Sequence, residues 1–242
     1  MISEQLNQQI THIGADDDAG MLLRQYWQPA ALYDDISFGL PLAVNLLGER
    51  LALVEDTKGY KLVTRFVTGS PSPTDIPIAD DIKIDMDGPS YPALVLKGVV
   101  FGYLGQDEPP EFPNFDCFRA PDTHVFAFKG LWRCNWLQAL EVGIDPAHAS
   151  FLHRFLVDED PEEGYGKQFR DTAADTDIPM TKILRDYPRP EILVDETNYG
   201  LKITTLRHME NELTHVRVTN QIFPQAICIP MSREMTITQW HV

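Results

Sequence analysis

Short runs that alternate apolar and polar residues, each closed by a turn signal, constrain this chain more than any other feature. LAVNLLGERLALVED reads as two strands joined at Gly48-Glu49-Arg50, and Thr57-Lys58-Gly59 turns into a third, YKLVTRFV. YPALVLKG and VVFGYLG pair through Lys97-Gly98, and THVFAFKG reads as a further strand. The same rhythm returns in EILVDET and LKITTLRH around Asn198-Tyr199-Gly200, then in LTHVRVTNQIF and EMTITQWHV. Connections this short join antiparallel neighbours, because a parallel pair needs a long crossover. AGMLLRQYW behind Asp16-Asp17-Asp18 predicts a short helix with carboxylates at its positive end. Only LWRCNWLQALEVGIDPAHASFLHRFL is long enough for a substantial helix. The fold class is therefore α+β. An antiparallel β unit is expected over 1–115, and an antiparallel sheet covered by helices over 116–242, parted by the proline-rich DEPPEFPNFDCFRAP.

Composition narrows the function classes. With 43% hydrophobic residues, 12 Phe, 8 Tyr and 4 Trp, the chain has enough apolar surface to fold, so disorder is excluded. Thirty-six Asp and Glu against 20 Lys and Arg give a net charge of −16. That surface repels phosphate backbones and anionic lipid, which argues against nucleic-acid and membrane partners. Cys117, Cys134 and Cys228 are widely spaced and form no C-x-x-C. They suit packing in a reduced cytoplasmic protein, as do Trp132 and Trp136. The N-terminus shows no basic-then-apolar leader, and the apolar runs are too short to span a bilayer. Residues 69–90 read as a loop, and the polar, acidic stretch 158–190 as a mobile loop or lid. The chain stops at Val242 inside an alternating run, from which the 242 residues are expected to be incomplete.

Chemistry concentrates in E-V-G-I-D-P-A-H-A-S-F-L-H, which carries Glu141, Asp145, His148 and His153. Gly143 should weaken the helix before it, while Asp145-Pro146 is a good start for a fresh one. On an ideal helix five residues turn through about 500°, which sets the two imidazoles roughly 140° apart. They meet on one metal only if that helix is distorted or the rings swing inward. Two imidazoles and a carboxylate suit ferrous iron and leave positions open for dioxygen. Asp145, three residues before His148, is placed to receive the non-coordinating N–H of a ligand histidine. The simpler alternative is also open: Asp145 caps a helix, His148 offsets buried polarity and His153 lies on the surface. His208 and His215, in adjacent predicted strands, either line a pocket or face solvent.

The stretch Cys134–Arg154, CNWLQALEVGIDPAHASFLHR, is similar to the iron-binding segment of the Rieske-type non-haem iron oxygenases. Among these ring-hydroxylating α subunits, the phthalate-dioxygenase-like branch is the one it resembles most. The family pattern is Glu, three residues, Asp, two residues, His, four or five residues, His. The likeness extends to MLLRQYWQPAAL, LLGERLALVEDTKG, VVFGYLGQDEPPEFPNF and VTNQIFPQAICIPMSREMTITQWHV, in order. The resemblance implies that His148 and His153 ligate a mononuclear Fe(II) and that Asp145 bridges electrons from a neighbouring subunit's cluster. Glu141 and Asn135 would stand near the site. It further implies an oxygenase, mono- or dioxygenase, taking electrons from NAD(P)H through a reductase and in some cases a ferredoxin. Its reaction would be hydroxylation, dihydroxylation or oxidative demethylation of a small aromatic substrate, carboxylic acids included, in a homotrimer.

Two departures accompany the likeness. The family's [2Fe–2S] centre uses two Cys and two His, in C-x-H and C-x-x-H pairs between the strands matching YKLVTRFV and YPALVLKG. That interval here contains neither residue type. The third iron ligand, a carboxylate lying further C-terminal in the family, has no match. Two readings follow: the 242 residues omit segments of a longer oxygenase, the favoured one, or the product lacks the cluster. A non-redox metal protein of the same fold and a degenerate scaffold are the rival functions.

Overall fold

The computed structural model describes residues 2–36, 39–67, 82–84, 88–154, 178, 180–210, 212–231 and 235–242. The chain divides into two compact units, Met1–Arg133 and Cys134–His241. Among the described residues, no helix is long and apolar enough to cross a membrane.

The first unit opens with two helices, α1 (Glu4–Thr11) and α2 (Asp18–Leu23). The sequence announced only the second; α1 is a polar, exposed helix capped by the Ser3 hydroxyl, which accepts from the Leu6 amide at 3.1 Å. Seven antiparallel strands follow: β1 (Gln28–Leu32), β2 (Leu42–Leu46), β3 (Glu49–Asp56), β4 (Gly59–Val67), β5 (Ile82–Ile84), β6 (Ser90–Leu96) and β7 (Val99–Gly102). Their order is β1-β7-β6-β4-β3-β2, with β5 added to β4. The β2–β3 turn falls on Leu47-Gly48, at φ 47° and 79°, one residue earlier than the alternation suggested. Lys97-Gly98 repeats that geometry at 51° and 80°. Both are two-residue turns whose paired positive φ values match strand twist, which explains a glycine at the second place. Leu51, Leu62, Val63 and Phe101 are buried in this sheet. Phe112 and Phe118 close over Phe101, with ring centroids 4.7 and 6.0 Å away.

The expected strand THVFAFKG does not form. Asp122–His124 is a 3-10 turn, and residues 125–130 are irregular with Phe126 and Phe128 exposed. Alternation gives a strand only where a neighbour offers its ladder, and among the described residues none pairs with this segment. Trp132 and Cys134 likewise lie exposed rather than in a core.

In the second unit the long helical stretch is divided into α3 (Trp136–Ile144) and α4 (Ala149–Leu152), with the break at Asp145-Pro146 as expected. α5 (Met180–Asp186) forms within the stretch 158–190 that was expected to be a loop, with Ile183 and Leu184 buried; residues 158–177 lie outside the described residues. Five strands then form an antiparallel sheet in the order β12-β11-β10-β9-β8. They are β8 (Glu191–Thr197), β9 (Gly200–His208), β10 (Thr214–Ile222), β11 (Ala226–Pro230) and β12 (Thr236–Trp240). The β9–β10 register runs from His208 opposite Thr214 to Gly200 opposite Ile222. This pairing puts Ile203, Thr205, Arg207, His215, Arg217 and Thr219 on one face.

Candidate metal centre

Helix α3 begins at Asn135, whose Oδ1 accepts from the Gln138 amide at 2.9 Å. That is a capping role, so Asn135 stands at the end of α3 away from the histidines. Gly143 lets the helix lie on β11: a Cβ there would fall 2.4 Å from Ile227 Cδ1. α3 stops at Asp145, which has extended ψ (109°) ahead of Pro146, as expected for a residue before proline.

The Asp145 carboxylate accepts from the amides of Ala147 at 2.8 Å and His148 at 3.1 Å. It therefore builds the turn. The imidazole of His148 meets a different group of the same residue, with Nδ1 against the Asp145 carbonyl oxygen. A carbonyl only accepts, so Nδ1 is the donor in this contact. A metal-ligating histidine is oriented in this way, by a backbone carbonyl in place of the anticipated carboxylate.

The separation of the two rings is the largest difference from expectation. α4 is a single turn: His148 precedes it in helical conformation, and His153 ends it at φ −112°, ψ 3°. The two imidazoles, set roughly 140° apart on an ideal helix, stand 5.1 Å apart between centroids at 74°. With metal–nitrogen bonds of about 2.0–2.1 Å, two imidazoles on one ion have centroids roughly 4.5–5.5 Å apart. The observed centroid separation falls within that range. His153 is held below the usual histidine range, chiefly by loss of water around its ring, then by His148 and by the Arg217 guanidinium. A histidine biased toward the neutral form is a ready ligand.

Glu141 lies exposed in α3, with no hydrogen bond to the pair among the described residues. No group of three or more His, Cys, Asp or Glu that could hold a metal occurs among the described residues. Of the anticipated site residues, His148 and His153 are the two whose side chains stand together. For the iron–sulfur cluster the donor set does not fit. The first unit contains one cysteine, Cys117, and two histidines, His12 and His124, whereas a Rieske centre takes two of each.

The sequence did not single out the arginines behind the pair. Arg207 on β9 is 2% exposed and bonds the histidine-bearing turn through Pro146 O and Ser150 Oγ, both at 3.1 Å. Arg217 on β10 donates from Nε to Pro230 O at 3.0 Å. Period-two counting from Ile203 would have placed Arg207 on the buried face. His215, opposite Arg207, is half-buried, and its Nδ1 has no partner among the described residues. Burial, Arg207 and Arg217 depress it to about 4. His208 instead faces solvent, with Nε2 3.0 Å from Glu191 Oε2.

The His215 shift has a measurable consequence. Its folded value lies below the unfolded one of about 6.5, so the unfolded state binds the extra proton between the two. Its contribution is complete above about pH 6.5 and is lost as pH falls toward 4. The loss is about 2 kcal/mol after allowance for partial exposure. Urea unfolding across this window should show that slope, and His215→Gln should flatten it.

Residues 102–242 match the family described as LigXa C-terminal domain like. The tert-butanol monooxygenase / tert-amyl alcohol desaturase oxygenase subunit of Aquincola tertiaricarbonis is 29% identical over 183 residues. The phthalate 4,5-dioxygenase oxygenase subunit of Pseudomonas putida is 27% identical over 270 residues. These alignments cover 62% and 95% of this chain, which spans 39% and 58% of the lengths of the two relatives. Dicamba monooxygenase bound to dicamba superposes with a TM-score of 0.53 at 13% identity. The match covers 89% of this chain and 70% of that one, and is a likeness of fold.

Proposed function

Because this chain belongs to the LigXa C-terminal domain like family, among the oxygenase α subunits of the Rieske non-haem iron type, we propose that it is an oxygenase component. It acts on a small aromatic substrate at a mononuclear iron held by His148 and His153. The observation that carries this reading is the 5.1 Å approach of the two imidazoles. Ferrous iron, when bound, supplies the activation of dioxygen beside the substrate.

The chain's own residues do the rest. The Asp145 carbonyl holds the proton on His148 Nδ1, and the Asp145 carboxylate fastens the turn that presents both rings. Arg217, whose charge reaches His153, is half-buried, with no carboxylate partner among the described residues. A half-buried guanidinium without a carboxylate favours an anionic substrate, which supports carboxylated aromatics. Electrons come from NAD(P)H through a separate reductase, with or without a ferredoxin, and the oxygenase assembles as a homotrimer. No step is assigned to a [2Fe–2S] cluster on this chain, since its residues do not supply the donors.

Asp145 is proposed to govern electron entry to the iron. Asn keeps one of the two oxygens that accept from the turn's amides, so Asp145→Asn should hold the turn and the bound metal while turnover falls at least about tenfold. Turnover at the wild-type rate contradicts that role.

Oxygen uptake with NADPH, a reductase and benzoate- or phthalate-type acids tests the proposal as a whole. Uptake coupled to hydroxylated or demethylated product is expected. Bound iron without any such uptake would favour the non-redox metal protein, which the missing cluster donors also support.

A further inference from the structure

We propose that Arg207 is a positioning residue that holds His148 and His153 at metal-binding distance by clamping their turn to strand β9. This rests on the reading of the pair as iron ligands. α4 is four residues long, and a helix of one turn does not sustain itself in water. Something outside it must set its place. Its two inward residues, Ala149 and Ser150, are buried, whereas Phe151 and Leu152 on the other side are 59% and 73% exposed.

The guanidinium of Arg207 meets the turn at two points that bracket His148. One Nη2 hydrogen bond goes to the carbonyl of Pro146 and a second to the hydroxyl of Ser150, each at 3.1 Å. Its Nε donates to the carbonyl of Tyr187, the residue after α5, at 3.2 Å. One planar fork thus ties together a strand, the residue after a helix and the histidine-bearing turn, all within the second unit. The geometry suits arginine and not lysine, whose ammonium is a point charge on a flexible stem.

The energetic pattern supports a positional purpose. A guanidinium this deeply buried is costly, and among the described residues no carboxylate meets it. All three recorded bonds go to neutral oxygens, two of them within two residues of His148. An apolar side chain would pack β9 at lower desolvation cost but would leave Pro146 O and Ser150 Oγ without this donor. Outer-shell supports of metal ligands carry effects of about 10–100-fold on affinity.

The test uses Co(II) as probe on the full chain. Arg207→Lys and Ser150→Ala are compared with wild type for the dissociation constant and for the visible ligand-field spectrum. Near-UV circular dichroism identifies the temperature at which each is folded. Arg207→Lys is expected to weaken Co(II) at least about tenfold and to alter the spectrum, with Ser150→Ala intermediate. If folded Arg207→Lys binds as wild type with an unchanged spectrum, the clamp is overturned and the metal site stands. Should Arg207→Lys not fold, Ser150→Ala decides: unchanged affinity and spectrum there overturn the clamp. Failure of wild type itself to bind Co(II) refutes the metal reading and the clamp with it.

Discussion

Replacing His148 or His153 by alanine should empty the iron site: bound iron falls from near one per chain to less than about a tenth, and oxygen uptake is lost. Both side chains lie at the ends of a one-turn helix and neither is in the core, so the fold should survive within about 0.5 kcal/mol. The two variants should be equivalent, because a single imidazole retains metal far more weakly than a pair presented together. Iron analysis after gel filtration, with circular dichroism as control, measures both quantities. Retained stoichiometric iron in both variants contradicts the ligand assignment. Loss in one alone would restrict it to that residue.

Phe101→Ala should destabilise the first unit by about 3–5 kcal/mol, the cost of a cavity left by a buried aromatic ring. Phe101 is fully buried and stands at the centre of the Phe112 and Phe118 contacts. Those two rings come from the segment after β7, Phe118 from its 3-10 turn Asp116–Phe118, so their loss of a partner should also loosen that connector. Denaturant unfolding read by tryptophan fluorescence would show the drop, since Trp27 also packs on Phe112 at 6.1 Å. A loss below about 1 kcal/mol would mean that the cluster is not the anchor of that unit.

The strands were legible because each alternating run could be paired with the next across a short turn. Lys97-Gly98 shows this well, and the β2–β3 hairpin missed by one residue because Leu47 accepts a positive φ that its side chain does not advertise. Residues 125–130 misled for the complementary reason: Val125, Phe126 and Phe128 carry a strand pattern, but pattern does not supply a partner. β11, short and apolar in AICIP, showed no alternation to read.

In the candidate centre, the residue identities were legible and their geometry was not. The 100° per residue that parts His148 from His153 holds only along a continuous helix. The end of α4 at Leu152, with His153 already out of helical conformation, removes that condition. Asp145 was anticipated as the histidine's partner, yet its carboxylate is taken by two amides of its own turn and its carbonyl does the orienting. Arg207 escaped notice because charged residues in strands are ordinarily read as solvent-facing; only the register with Ile203 and Thr205 turns it inward. The third iron donor has no counterpart among the described residues.

The central claim is that two imidazoles of one short turn hold a single iron ion and that this chain holds no iron–sulfur cluster. Iron-edge X-ray absorption of the reconstituted chain tests both at once. The account predicts nitrogen and oxygen scatterers at about 2.0–2.2 Å with the outer-shell pattern of two imidazoles. A sulfur shell, or no imidazole scattering, would contradict it.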